Sequence, residues 1–437
     1  MREHGGKTYR PWEPQRYRQE AHSPEAKLPE GALVFFLLDT VPQLELSRFY
    51  APYEQETRGA PPFDPAMLVC LLLYAYCVGV FSSRKIALAC ERNLAFIAIV
   101  GQERPDFRTI SDFRKLHLEV CKDVFVQVVR LAGEAGLVKL GNVATDGTKI
   151  QGNASRHKAM SYRYMQKAVE RLREEIEALV TQAYQQDAAE AAALGSRRGD
   201  ALPAELARRA DRLVKIEAAM QRLAAHAKVE AEAERSRTGK KRRGKIPHPV
   251  VDTPDDKAQS HFTDPELPIM RTNNKGWEYC GNAQARVDAA CQIILACDVT
   301  DATNDKQQAE PVAQATLGHL ARAGLERPKD ASGAAQAIPA TLDHGYDSEA
   351  AVEARERLSF DPYIATERQR HSTPGVEASD PPATAQERMA AKVRTPQGRA
   401  LDARRKVIVE PVFGQIKEDR GFCGLSHIMG SCPLLVI

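Results

Sequence analysis

Apolar residues in the first third of the chain fall at helical spacing, in the middle they recur every three or four positions, and after residue 250 they alternate with polar ones. These three patterns predict three materials. Residues 33–137 read as short apolar helices. The most apolar run, residues 66–81, is shorter than the roughly 20 residues that span a bilayer. Asp64 and Pro65 precede it as an N-cap and a first-turn proline, so it reads as a buried core helix. Residues 1–30 have few aliphatic side chains to offset the entropy of ordering and read as a loosely held arm.

Three short helices follow the core helix. Ser82 and Ser83 can cap one that carries Arg84, Lys85, Ile86 and Ala89, a second covers residues 93–100, and a third opens at the Thr-x-x-Asp pattern Thr109-Ile110-Ser111-Asp112. The third carries Phe113, Arg114, Lys115 and His117. The string is similar to a helix-turn-helix unit, whose last helix would turn Arg108, Arg114 and Lys115 towards nucleic acid; any three-helix packing unit would give the same string.

Residues 140–150 switch to an extended pattern in which Val143-Ala144-Thr145 leads into Asp146-Gly147, a tight-turn pair. From residue 161 to 235 Ala, Glu, Arg and Leu dominate. Apolar positions recur at Val169, Leu172, Ile176, Leu179 and Ala183, then at Leu213, Ile216, Met220, Leu223 and Ala227, with Gly195 and Gly199 between the two sets. Two antiparallel helices in a coiled-coil hairpin are expected. The second ends in a basic cluster that includes Lys240, Lys241, Arg242 and Arg243, a solvated linker or a partner for a phosphate backbone.

Beyond Pro249, residues 282–287 and 292–299 read as strands joined by an Asp288-Ala289 turn, and residues 307–323 as a helix. A strand at residues 338–343 ends in Asp343-His344-Gly345-Tyr346, a helix covers residues 348–358, and a last strand residues 361–366. Residues 368–397 read as a polar loop. An amphipathic helix then places Val409, Val412, Phe413 and Ile416 on one face, with Glu410 and Lys417 two turns apart. A strand meander followed by strands alternating with helices predicts a mixed α/β fold, one mixed sheet covered by helices and interrupted by the hairpin.

Composition narrows the picture little. A net charge of +3 on 437 residues decides nothing, so the distribution of charge carries the information. Nine cysteines, none in a Cys-x-x-Cys pair, fit a reducing cytoplasm and not a zinc site, and no secretory signal opens the chain. The chemistry lies in the carboxylates. Asp146 and Asp343 each end a short apolar run with a glycine within two residues, and Glu410 sits on a later helix. Three such groups at one sheet edge could bind two hard divalent ions and serve phosphodiester chemistry. An ordinary hairpin turn and a surface ion pair would explain the same residues.

Several ordered blocks resemble one family. Ala144-Thr145-Asp146-Gly147-Thr148-Lys149-Ile150 and Asn153-Ala154-Ser155-Arg156-His157-Lys158 resemble the first-aspartate region of DDE-type transposases of bacterial insertion sequences. Thr263-Asp264-Pro265, Gly281-Asn282-Ala283-Gln284, Asn304-Asp305-Lys306-Gln307-Gln308, Asp343-His344-Gly345-Tyr346 and Val409-Glu410-Pro411-Val412-Phe413-Gly414-Gln415-Ile416-Lys417 resemble later blocks in the same order. The resemblance implies a ribonuclease-H-like sheet domain over residues 138–160 and 247–421, preceded by a helical DNA-binding domain over residues 31–137 and interrupted by a coiled-coil insertion over residues 161–246. It implies Asp146, Asp343 and Glu410 as the catalytic and metal-binding triad, Mg2+ as cofactor with Mn2+ as a substitute, and Lys417 on the phosphate of the element end. Double-stranded DNA, both terminal inverted repeats and target, is the implied partner, met by a homo-oligomer in the cytoplasm and away from membranes.

The chain departs from the family pattern in places. Pro268 stands where an arginine is usual, Asp402 lies near the place of an expected aromatic residue, and residues 422–437 read as a truncated or frameshifted end. Two functions compete on this basis: an active transposase that nicks and transfers strands, and a catalytically weak copy that only binds DNA. A coiled-coil assembly protein is a third reading, disfavoured by the ordered carboxylate blocks.

Overall fold

In a computed structural model the chain builds helices first and a mixed sheet with flanking helices afterwards. The described residues are 3–4, 7–8, 11–12, 27–54, 59–101, 103–152, 159–194, 204–238, 253–262, 267–272, 276–346, 359–365, 385–422 and 424–425. They divide into two compact units, Met1–Ile150 with Gly281–Ile437, and Gln151–Cys280.

The first unit opens with a pair of two-residue strands, β1 (Glu3–His4) and β2 (Lys7–Thr8). Part of the expected loose arm is pinned: Trp12 is buried and its indole N–H donates to the Ile99 carbonyl at 3.1 Å. Helices α1 (Leu33–Thr40) and α2 (Ser47–Glu54) precede α3 (Pro65–Cys77), the expected core helix. Its cap is the expected one. Asp64, itself buried, accepts from the Ala66 amide at 2.9 Å and from the Tyr50 hydroxyl at 2.6 Å, so the cap also ties α2 to α3. Helices α4 (Ser83–Arg92), α5 (Leu94–Val100), α6 (Phe107–Leu116) and α7 (Val120–Glu134) complete the helical part. The start of α6 differs from the sequence reading. Asp106, not Thr109, caps it, accepting from the amides of Arg108 and Thr109 at 2.8 Å each, because Pro105 stops the preceding segment one turn earlier than the Thr-x-x-Asp pattern suggested.

The sheet follows. Its strands are β3 (Val143–Gly152), β7 (Trp277–Asp288), β8 (Ile294–Thr300), β9 (Ile338–Leu342) and β10 (Phe360–Ile364), in the order β10-β9-β3-β7-β8. β9 pairs in parallel with both β3 and β10, while β7 and β8 form an antiparallel hairpin. That hairpin was legible in sequence, although β7 starts earlier than expected. Buried Asp288 closes its turn by accepting from the amides of Leu140 and Ala290. Helix α10 (Ala309–Ala323) covers one face, and α11 (Ala385–Arg394) and α12 (Pro396–Gly414) pack against β10 and β9. The core joins Leu295, Ala313, Leu320, Ile338, Leu342, Tyr346, Phe360 and Ile364 to Phe125, Val126 and Val129 of α7. A last strand, β11 (Gly424–Leu425), pairs with β3.

The expected polar loop over residues 368–397 is corrected in part. Residues 385–394 form α11, whose Ala385, Met389 and Val393 face the core at helical spacing, and α12 begins at Pro396, behind the capping hydroxyl of Thr395. The expected helix over residues 348–358 and the tail after residue 425 lie outside the described residues.

In the second unit, β4 (Ala159–Ser161) pairs antiparallel with β5 (Gln259–His261), and β6 (Ile269–Arg271) pairs with the first residues of β7. Two long helices, α8 (Tyr162–Leu194) and α9 (Ala204–Thr238), pack along each other. Arg173 meets Glu217 and Glu175 meets Arg209; one number rises as the other falls, so the helices run antiparallel. Their core joins Met165, Ala168, Val169 and Leu172 to Ile216 and Ala219, of which Val169, Leu172 and Ile216 belong to the three-and-four spacing seen in sequence.

Candidate active site

Asp146 does not sit in a turn. Asp146 and Gly147 lie inside the continuous strand β3, and the two-residue hairpin expected there is absent. The glycine answers to crowding. A Cβ at Gly147 would overlap the Gln284 amide and stand 2.7 Å from Asp305 Oδ1. Local pattern reads Asp-Gly as a turn because it has no access to a side chain arriving from another strand.

The parallel register of β3 and β9 pairs Thr145 with Leu342, so the next residues, Asp146 within β3 and Asp343 just past the end of β9, stand at the same level. Burial, first of all, pushes the Asp146 carboxyl up to about 6. The nearby Asp343 and Asp305 carboxylates push the same way, while the Gly147 amide and the Arg405 guanidinium oppose them. Arg405 comes from α12, is buried, and holds Asp343 Oδ1 at 2.9 Å, with Asp402 3.7 Å from its Nε. Behind Asp146, buried Arg286 donates to the Thr145 hydroxyl at 2.8 Å and lies over the Phe360 ring.

A hard divalent ion fits this donor set in its chemistry: two carboxylates side by side on neighbouring strands, one of them paired with Arg405 and the other without a salt bridge among the described residues. As placed, no group of three or more His, Cys, Asp and Glu side chains among the described residues is close enough to hold a metal. Glu410 is on α12, as expected, and exposed. Its helix is anchored by Arg405, Ile408, Val409 and Val412 on the opposite side, and Ile416 continues that buried face into a π-turn, Gln415–Asp419. Lys417 in that turn donates to the Thr148 hydroxyl at 2.5 Å and to the Lys149 carbonyl at 2.9 Å, which brings it to β3 two residues beyond Asp146. His344 meets the Ala365 carbonyl rather than Asp343.

The DNA-facing residues expected in α6 divide. Arg108 is exposed beside the Phe107 ring, over which Arg84 also lies, and Lys115 is exposed beside Asp112. Arg114 is a correction. Its guanidinium turns inward to the Tyr76 hydroxyl at 3.3 Å, the Phe81 carbonyl at 3.0 Å and the Ser83 hydroxyl, and so ties α6 to the α3–α4 connection. A planar cation with five donors suits three acceptors grouped at a helix junction. Lys240, Lys241, Arg242 and Arg243 lie outside the described residues, as do Asn153 to Lys158 and Thr263-Asp264-Pro265.

Residues 22–116 match the Transposase domain family model (DUF772). The matched segment ends at Leu116, the last residue of α6, so it comprises the helical part up to α6 and none of Asp146, Asp343 and Glu410. It supports a transposase family for this chain. No curated protein and no solved structure matches it. No described helix is long and apolar enough to cross a membrane.

Sequence reasoning passed over Arg405 and Arg286, two buried arginines whose partners are distant in the chain. Asp305 stands out in the sequence only within the Asn304-Asp305-Lys306-Gln307-Gln308 block. Buried charge is a long-range property, and the one local signal was a polar residue on the apolar face of a helix, as Arg405 is.

Proposed function

We propose that this chain is a DNA transposase of an insertion sequence, with Asp146, Asp343 and Glu410 as its metal-binding carboxylates. The observation that carries the reading is the parallel register of β3 and β9, which puts Asp146 and Asp343 directly after the paired residues Thr145 and Leu342, in the same compact unit as the segment that matches a transposase domain. Strand order adds support. In chain order the five strands lie 5-4-1-2-3, an antiparallel meander extended by two parallel strands, which agrees with the ribonuclease-H-like sheet implied by the sequence blocks.

Each residue has a part in this reading. Asp146 and Asp343 would hold Mg2+, or Mn2+ in its place, and Glu410 would join them from α12. Ions bound there activate an attacking oxygen and stabilise a leaving one in phosphodiester hydrolysis and transesterification. Arg405 orients the Asp343 carboxylate and balances its charge. Lys417, at the rim of β3, and Arg108 and Lys115 on α6 would take phosphates of double-stranded DNA. The DNA would be the element's inverted repeats and its target, with more than one copy of the chain assembled on the ends.

Labelled element ends incubated with the protein and Mg2+ or Mn2+ test the proposal. Nicking that Asp146→Ala abolishes is the expected result. End binding without cleavage would leave the second reading, a copy that only binds DNA, which the separation of the three carboxylates among the described residues favours.

A further inference from the structure

Asp305 lies in the connection between β8 and α10, outside the proposed triad, yet its carboxylate sits against both Gly147, next to Asp146, and Gly345, two residues after Asp343. A Cβ at Gly147 would stand 2.7 Å from its Oδ1, and a Cβ at Gly345 would stand 3.3 Å from its Oδ2. Glycine next to Asp146 and glycine two residues after Asp343 therefore make room for the same side chain.

The orientation of that side chain is fixed by neutral donors. Asn282 Nδ2 and Gln284 Nε2 each donate to Oδ1 at 2.7 Å, and both residues are fully buried on β7. Gln284 is held in turn by the Tyr346 hydroxyl, which donates to its Oε1 from the short 3-10 turn after Asp343. Both donors end on one oxygen. No described donor reaches Oδ2, and Asn282 Oδ1, buried beside the same carboxylate, has no hydrogen-bond partner among the described residues. Among the described residues no cation pairs with Asp305, whereas Asp343 has Arg405. A carboxylate held in one orientation by two amides beside two further carboxylates is an arrangement that attracts a cation.

We propose that Asp305 is a positioning residue of the ion site: its charge, held by Asn282 and Gln284, completes the negative field that draws a divalent cation to Asp146 and Asp343. The proposal rests on the metal-binding reading above. Residues that surround metal ligands without binding the ion commonly change its affinity by about 10–100-fold.

The test is Mn2+ binding to the full chain, followed by calorimetry and by the Mn2+ paramagnetic resonance signal, with thermal unfolding as a control. Asp305→Asn is the discriminating variant, because its side-chain oxygen still accepts from both amides and only the charge is lost. The expected result is Mn2+ affinity lowered about tenfold with an unchanged unfolding midpoint. Wild-type affinity in Asp305→Asn would overturn the proposal while leaving the aspartate pair intact, provided that Asp146→Asn abolishes binding. Absence of Mn2+ binding by the wild type would sink the metal reading itself, and the role of Asp305 with it. If Asp305→Asn loses affinity only as it loses its unfolding midpoint, the residue is structural and the proposal fails.

Discussion

At Asp146 the cost of a buried carboxylate is written into the fold. The unfolded group loses its proton near 3.8 and the folded one at about 6, so between these values the folded chain holds a proton that the unfolded chain has released. A raised folded value makes stability fall as pH rises through that window, with the penalty absent below about pH 4 and complete above about pH 6. It amounts to at most about 3 kcal/mol. Asp146→Asn removes the charge, so without metal the variant is expected to exceed the wild type in stability at neutral pH, and the gap should close in acid. Urea unfolding across that range checks it; parallel pH profiles for the two proteins would refute it. Arg114 makes the opposite kind of case. Read as a DNA contact, it is a structural tie, and Arg114→Ala should cost about 1–3 kcal/mol by stranding buried acceptors. Arg108→Ala should leave stability alone and weaken salt-sensitive DNA binding. At this scale the apolar runs leading into Asp146 and Asp343 were legible, because they are visible locally, whereas the continuation of β3 beyond Asp146 was not. The inward turn of Arg114 was not, because its acceptors Tyr76, Phe81 and Ser83 lie some thirty or more residues away.

The helix that bears Glu410 shows how an element can be correct in outline and wrong in its supports. Its apolar face was readable, and Val409, Val412 and Ile416 are indeed buried. Its true start at Pro396 was hidden by a stretch rich in polar residues. Pro411 follows Glu410 inside the helix and has no N–H for the carbonyl of Val407, four residues back. The Gln292 side chain supplies the missing donor at 3.0 Å, from a residue held at a positive φ of 58° in the β7–β8 turn. Gln292→Ala is expected to destabilise by about 0.5–1.5 kcal/mol. Pro411→Ala in the same chain restores a backbone N–H for that carbonyl, so the double variant should recover part of the loss. A double-mutant cycle by chemical denaturation reads the coupling, and strict additivity would show that the two residues do not share the carbonyl. Crowding at Gly147 follows the same logic across strands: a Cβ there would overlap Gln284, which no reading of Asp-Gly as a turn could reveal.

For the whole molecule, the sequence divided the chain by texture, helical, coiled and alternating, whereas packing joins parts of different texture. Helix α7 belongs by pattern to the helical part, yet Phe125, Val126 and Val129 are built into the sheet's core beside Leu295 and Leu320. On the same helix Asp123 pairs with both Arg48 of α2 and Arg322 of α10. The second unit keeps a core of its own, in which Ile216 and Ala219 meet Met165, Val169 and Leu172. Separate cores imply separate responses. Phe125→Ala should cost about 3–5 kcal/mol and Ile216→Ala about 2–5 kcal/mol, because each leaves a cavity among well-packed neighbours. Scanning calorimetry should place those losses in different transitions: Phe125→Ala lowers the one that belongs to residues 1–150 with 281–437, and Ile216→Ala the one that belongs to residues 151–280. Because β3 and β7 each run through both units, the alternative is a single cooperative transition lowered by either change, and that outcome would mean that the two shared strands bind the cores into one folding unit.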